Sequence, residues 1–405
     1  MAIGTQTIAT GNRTTLNTGS TNLKVRDVED MITQLKPYQT PIDDFFVTNQ
    51  MANEVTTGER TKFEWYEDAF LPDVTTLGSG GITGGAATES NINVAANYFL
   101  VDDVVLVEST GETVLVTAVG SGTINIKKVG AGNISAASSG VRLQRLVPAF
   151  AEAGAKQTAL TVLAVQKTGY CQIIKKALSM TGRQQAAKQY GGNDWKYQWA
   201  KALEEIREAL ERTFLMNGAA YDEGGTTGRT YTAGFRSLST NIITVTTSYD
   251  KAQLDAGFKQ IFEAGNSNHL MAYAGGTALS QIASAITNTY EIRQDSPSLN
   301  LNQFGVLNAS GARRPHMIRY QHPMGVVDIC WNPQLKGTKF SKHMLVIDPK
   351  NVKKRFCAPD DKGPRKYRVE RNIQTPGDDI SHAQYLFDQG LQIKLEESHG
   401  WFQLA

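Results

Sequence analysis

The sequence predicts an α+β chain, and three observations carry that prediction. One long amphipathic helix lies mid-chain, short β-segments at hairpin spacing precede it, and helices alternating with strands follow it. At 405 residues the chain has material for two or three separate cores.

The first twenty or so residues are rich in Thr, Asn and Gly and read as an arm with little apolar surface to bury. Leu23–Phe46 follows, with a short amphipathic helix on Val28, Met31, Ile32 and Leu35 that Pro37 and Pro41 stop from continuing. Lys62–Asp73 reads as a strand with aromatic anchors. It runs into Gly78–Thr88, where Gly78, Gly80, Gly81, Gly84 and Gly85 predict a flexible excursion from the body. Val104–Ser109, Thr113–Val119, Thr123–Val129 and Val141–Val147 are short strands separated by turn residues, and they predict a small all-β module over about 98–147.

Thr158–Ile174 reads as a strand and Lys175–Tyr190 as a short helix. In the long helix, Asp194–Gly218, the residues Trp195, Trp199, Leu203, Ile206, Leu210 and Phe214 recur at three- and four-residue steps and form one stripe. Glu204, Glu205, Arg207, Glu208, Glu211 and Arg212 occupy the opposite face. Gly191-Gly192 break the chain before this helix, Asn193 or Asp194 offers a cap, and Asn217-Gly218 supply a left-handed stop. A strut of this kind points to architecture rather than catalysis. Beyond a Gly- and Thr-rich loop, Glu223–Thr232, come a helix at Asp250–Ala264, a strand at His269–Gly275 and a helix at Thr277–Thr287. Strands follow at His316–His322 and Val326–Asn332, and strand-rich text from His343–Phe356 to Gly390–Leu404 closes the chain.

No catalytic, cofactor or metal residues are predicted. The six histidines stand at no metal-ligand spacing, the three cysteines form no CxxC pair, and no GxSxG elbow is present. Gly224–Thr230 has Arg229 where a phosphate loop needs lysine, and Gly78–Gly85 lacks the strand-turn-helix setting of a dinucleotide fingerprint. The 41 Lys and Arg nearly balance the 39 Asp and Glu, so no global field steers the chain to nucleic acid or to a membrane. No signal segment or spanning apolar run is read, which predicts a protein neither secreted nor embedded. Charge is uneven at Lys350–Asn372. There Lys353, Lys354, Arg355, Arg365 and Lys366 are expected to pair across subunit boundaries with Glu204, Glu205, Glu208 and Glu211 of the long helix. A surface facing packaged polyanion and a solvated strand pair are the other readings.

In the order of its parts the chain resembles the major capsid proteins of tailed bacteriophages with the Hong Kong 97-like fold. The parts are an arm, a glycine-rich loop, a strut helix preceded by TGRQQAAKQYGG (Thr181–Gly192), an α/β domain and returning strands. TPIDDFF (Thr40–Phe46), the β-module, AKALEEIREALERTFLMNG (Ala200–Gly218) and SHGWFQL (Ser398–Leu404) look like a phage head-protein family long described as a domain of unknown function. The resemblance implies an N-terminal arm (1–57), an extended loop (58–157) holding the inserted β-module, a peripheral domain (158–222) with spine helix 194–217, an axial domain (223–340) and returning strands (341–405). It implies a non-enzymatic shell subunit that self-assembles as hexamers and pentamers into an icosahedral head around double-stranded DNA. Such a subunit is made in the host bacterial cytoplasm and resides in the virion, with a portal, a decoration protein and the DNA as partners and no membrane. Because only about forty residues precede Pro41, a separate scaffolding protein is expected. An encapsulin-like nanocompartment shell would share the fold, and a soluble hydrolase with an unrecognised site is the reading from another class.

Overall fold

The computed structural model describes residues 40–48, 53–55, 61–150, 152, 159–187, 194–225, 228–246, 248–265, 267–289, 317–357, 359 and 365–404. The expected arm helix at Val28–Leu35, the Gly191-Gly192 break, the Asn193 cap and the start of the strand at His316 lie outside them. In chain order the elements are α1 (Pro41–Thr48), β1 (Asn53–Val55), β2 (Lys62–Glu67), β3 (Val74–Thr76), β4 (Thr88–Asn93), β5 (Val104–Val107), β6 (Glu112–Val119), β7 (Thr123–Lys128) and β8 (Arg142–Arg145). Then follow β9 (Val165–Tyr170), β10 (Gln172–Thr181), α2 (Gly182–Ala186), α3 (Asp194–Met216), β11 (Tyr221–Asp222), β12 (Thr230–Tyr231), α4 (Phe235–Leu238), β13 (Asn241–Val245), α5 (Lys251–Ala264), β14 (His269–Ala274) and α6 (Gly276–Thr289). The last are β15 (Met317–His322), β16 (Gly325–Trp331), α7 (Gly337–Phe340), β17 (Met344–Ile347), β18 (Val352–Phe356), β19 (Arg368–Arg371), β20 (Ile380–Ile393) and β21 (Gly400–Leu404).

The chain divides into two compact units, one of residues 1–64 and 168–405 and one of residues 65–167. In the first unit a six-stranded mixed sheet runs in the order β13-β21-β17-β14-β16-β15. Its alternation sorts residues between two cores, because successive side chains on a strand point to opposite faces. Leu270, Ala272, Ala274, Met344, Val346 and Phe402 meet α5 and α6 through Phe258, Ile261 and Ile282. Tyr273, Leu345, Ile347 and Trp401 face the other way, where Ile42, Phe45 and Phe46 of α1 and Leu210, Phe214 and Leu215 of α3 close a second core. A second sheet places β1, β18, β20 and β10 side by side, with β19 also on β20. On this sheet Tyr385 and Phe387 pack beneath Ala202 and Ile206 of α3.

Two expectations about this unit are corrected. Residues 175–181 continue β10 as a strand, paired antiparallel with Leu386–Ile380, and α2 is limited to Gly182–Ala186. The segment KKALSMT alternates half-buried with exposed positions, the period of a strand on a sheet. On α3, Leu203 is 37% exposed whereas Glu211 is fully buried. α1 packs on the Glu211 side of α3, so the buried face extends beyond the apolar stripe onto a residue read as polar surface.

The second unit has its own core, formed by Leu77, Ile92, Val105, Val107, Val116, Ile124, Ile126 and Leu143 among others. Its sheet order is β3-β8-β5-β6-β7-β4. The two outermost strands then meet each other. Leu77 bridges Val94, Gly78 N donates to Asn93 O at 2.7 Å, and Ala95 N donates to Thr76 O at 2.9 Å. Register shifts between Val116 and Ala118 and between Glu89 and Ile92 mark local irregularities of the kind that add twist and curvature. The result is a closed six-stranded barrel without a free edge. It begins at Val74, so the module is wider than the 98–147 read from the sequence.

The glycine-rich segment belongs to this barrel, which corrects the expectation of a free excursion. Ile82 N donates to Ala137 O at 2.8 Å, Ala137 N returns a bond to Ile82 O at 3.0 Å, and Gly85 N donates to Ile134 O at 2.9 Å. A Cβ on Gly81 would stand 2.2 Å from Ala137 O, and one on Gly84 would stand 2.5 Å from Ala136 N. Both glycines also have positive φ. A Cβ on Gly78 would stand 2.9 Å from the Asn93 Cβ, while Gly80 and Gly85, also at positive φ, have open space around them. Close backbone approach, not freedom, is what Gly78, Gly81 and Gly84 supply.

Candidate functional site

Three regions of the chain could act on something outside a single fold: the charged segments named from the sequence, a groove at the start of α3, and apolar segments flanking the barrel. The charged segments converge on α1. Pro41 opens that helix and has no N–H, so Ile42 and Asp43 carry amides its first turn cannot satisfy internally. Glu211 of α3 takes both, Ile42 N at 3.1 Å and Asp43 N at 2.9 Å, and also accepts from Asn332 Nδ2 at 2.8 Å. Asp43 in turn takes Lys354 Nζ on one oxygen at 2.6 Å and Arg207 Nε on the other at 2.7 Å. Arg207 also reaches exposed Asp44 at 3.0 Å. Lys354 stands 5.6 Å from the centres of the Phe214, Phe356 and Tyr367 rings.

The electrostatics follow from burial. Desolvation would raise the Asp43 carboxyl, but Lys354 and Arg207 together outweigh it and hold the group below its ordinary value. Burial draws the Lys354 ammonium down against the pull of Asp43. Burial pushes Glu211 up to about 8 despite its N–H donors, and the Asp43 charge adds to the rise.

These contacts correct part of the expected subunit interface. Lys354 and Glu211 are fully buried inside one chain, and Arg365 Nε is bound to Asp388 at 2.8 Å. Lys366 lies over the Phe356 ring at 4.7 Å, and Arg355 Nε donates to Gln392 at 2.7 Å. Glu205 pairs with Lys176 at 2.7 Å, and Glu208 receives Arg212 at 3.4 Å. Lys353 and Glu204 are half-buried. Opposite charges in the two segments therefore meet within the chain through Asp43, a residue the sequence reading passed over. The sequence carries its signal: Asp43 and Asp44 in the first turn that Pro41 opens mark a helix start.

The groove, of about 880 Å3, lies where α3 begins and is lined by Trp195, Trp199, Gln184, Arg371, Asn372 and His382 among others. The Trp195 and Trp199 rings stack at 6.1 Å and Arg371 lies over Trp199 at 5.9 Å. In the second unit, large apolar side chains are left in water on both sides of the barrel. Tyr66 is 70% and Phe70 99% exposed before it, and Val147 is 82% and Leu163 83% exposed after it. Among the described residues no group of His, Cys, Asp or Glu could hold a metal ion, and no helix is long and apolar enough to cross a membrane.

Comparison with known proteins agrees with this architecture. A family profile described as SU10 major capsid protein matches residues 8–405. No curated protein matches the chain. Among solved structures, the capsid asymmetric unit of cyanophage A-1(L) is similar at 10% identity, with 96% of this chain and 98% of that one covered and a TM-score of 0.51. The capsid of cyanophage P-SCSP1u matches at 8% identity over 98% and 99% of the two chains with a TM-score of 0.49. The holo-SrpI encapsulin of Synechococcus elongatus PCC 7942 matches at 9% identity over 59% and 76% with a TM-score of 0.42. The likeness to the A-1(L) chain, at that identity, is a likeness of fold.

Proposed function

The chain belongs to the SU10 major capsid protein family, and from that premise we propose that its copies assemble as hexamers and pentamers into an icosahedral head around double-stranded DNA. It is a major capsid protein of tailed phages, with the Hong Kong 97-like fold, and a component of the virion. The observation that supports assembly most directly is the apolar surface left open in one subunit. Tyr66, Phe70, Val147 and Leu163 gain from burial only if another copy covers them, at about 1.5 to 3 kcal/mol for each fully buried side chain. The segments that carry them lead into and out of the barrel, which supports the reading that the extended loop 58–157 reaches over a neighbouring subunit. The barrel, closed at its edges, then clamps that neighbour by its surface rather than by strand pairing.

The half-buried charges Lys353 and Glu204 add salt-sensitive contacts at the boundary. A separate scaffolding protein, a portal and a decoration protein are the further partners, synthesis takes place in the host cytoplasm, and the chain performs no catalysis. Electron microscopy of the purified chain tests the proposal. Closed shells or capsomer arrays are expected, with nucleic acid inside native particles. A monodisperse monomer, or shells that enclose protein cargo in place of DNA, would overturn it.

A further inference from the structure

The cluster around Glu211 contains an imbalance of charge. Three of its groups are fully buried: two carboxylates, Asp43 and Glu211, and one ammonium, Lys354. Asp43 holds both available cations, Lys354 on one oxygen and Arg207 on the other, and Arg207 is shared with Asp44 at the surface. Among the described residues Glu211 touches no cation. Its contacts are the Ile42 and Asp43 amides and the Asn332 side chain. Around it stand Asp43 and Asp44 on α1, Arg207 on its own helix, Lys354 on β18, and the neutral Tyr273 and Cys330 on β14 and β16. Two carboxylates sharing one buried cation site cannot both ionise without leaving an uncompensated charge, and the proton falls to the one without a cationic partner.

We propose that the seating of α1 is gated by a proton on Glu211: the helix stays docked on α3 while Glu211 is protonated and is released when Glu211 ionises. Undocking opens the cluster to water, which removes the cost of the second charge.

The sign follows from the two protonation states. Undocked, Glu211 titrates near its ordinary value of 4.5, and docked, burial raises it to about 8. Its contribution to docking is therefore complete below about pH 4.5, declines as pH rises, and is exhausted above about 8. Hydrogen exchange of the full chain, with rates corrected for their intrinsic pH dependence, reads this directly. Protection of the amides of residues 44–48 should fall by up to tenfold per pH unit toward about pH 8 and then level, while those of α5 serve as the control. Glu211→Gln should abolish the slope. Asp43→Asn should free Lys354 to neutralise Glu211 and move the end of the decline to lower pH. Flat protection of α1 in the wild type would overturn the proposal, as would an unchanged slope in a folded Glu211→Gln chain or an unshifted decline in Asp43→Asn.

Discussion

His399 and His343 are buried imidazoles that each accept a hydrogen bond at Nδ1, from Asp348 N at 3.1 Å and from Trp401 Nε1 at 2.9 Å. Protonation would place a hydrogen where each ring now accepts one, and burial already draws both down to about 4, with nearby Lys339, Arg236 and Lys342 adding to the effect on His343. Both bind protons more readily unfolded than folded, so the stability they contribute is whole above about pH 6.5 and is lost as pH falls toward about 4. The melting temperature of the unassembled subunit should drop across that window, and replacing both histidines should flatten the drop. Lys354 gives a second residue-level test. Lys354→Met leaves Asp43 half-compensated in a dry site and should cost about 3 to 5 kcal/mol in denaturant unfolding. The double change with Asp43→Asn should recover a large part, since removing both charges leaves none unpaired. None of this was legible from charge counts, because Lys354 and Glu211 look like any other members of charged runs until a distant helix covers them.

At the scale of elements, glycine carries two meanings that sequence text does not separate. The barrel strands β5 to β8 stand out because their apolar residues alternate between turn signals, and the structure places each within a few residues of the position read. Residues 78–88 read as free because glycine density usually marks freedom. Here the glycines let one stretch of backbone lie against another. Gly81→Ala and Gly84→Ala should therefore destabilise the barrel by more than the roughly 1 to 2 kcal/mol that left-handed backbone costs a residue with a Cβ, because each also meets backbone atoms. Gly80→Ala should cost only the conformational part, and urea midpoints of the three variants would rank them. The strand β10 was misread for a related reason. Lysine, alanine, leucine and methionine are strong helix formers, and the long partner strand β20 overrides that preference.

For the whole molecule, assembly and folding make separate demands on the loop that joins the two units. Leu163→Asp and Val147→Asp remove apolar surface that one subunit leaves in water, so they should abolish shells in electron micrographs while leaving the circular dichroism and melting of the subunit nearly unchanged. Folding, by contrast, depends on where the barrel begins and ends. Residues 1–64 must find residues 168–405 across an intervening stretch of about a hundred residues. Arg145 N donates to Asp73 O at 2.6 Å, so a barrel that forms first returns the chain to the place it left. The search then spans roughly thirty residues instead of about a hundred, which lowers the entropy cost of closing that loop by about 1 kcal/mol. A barrel that forms first would thus act as a kinetic shortcut for the rest of the chain. A variant that unfolds it should slow refolding of the β10 and β20 pairing by about fivefold.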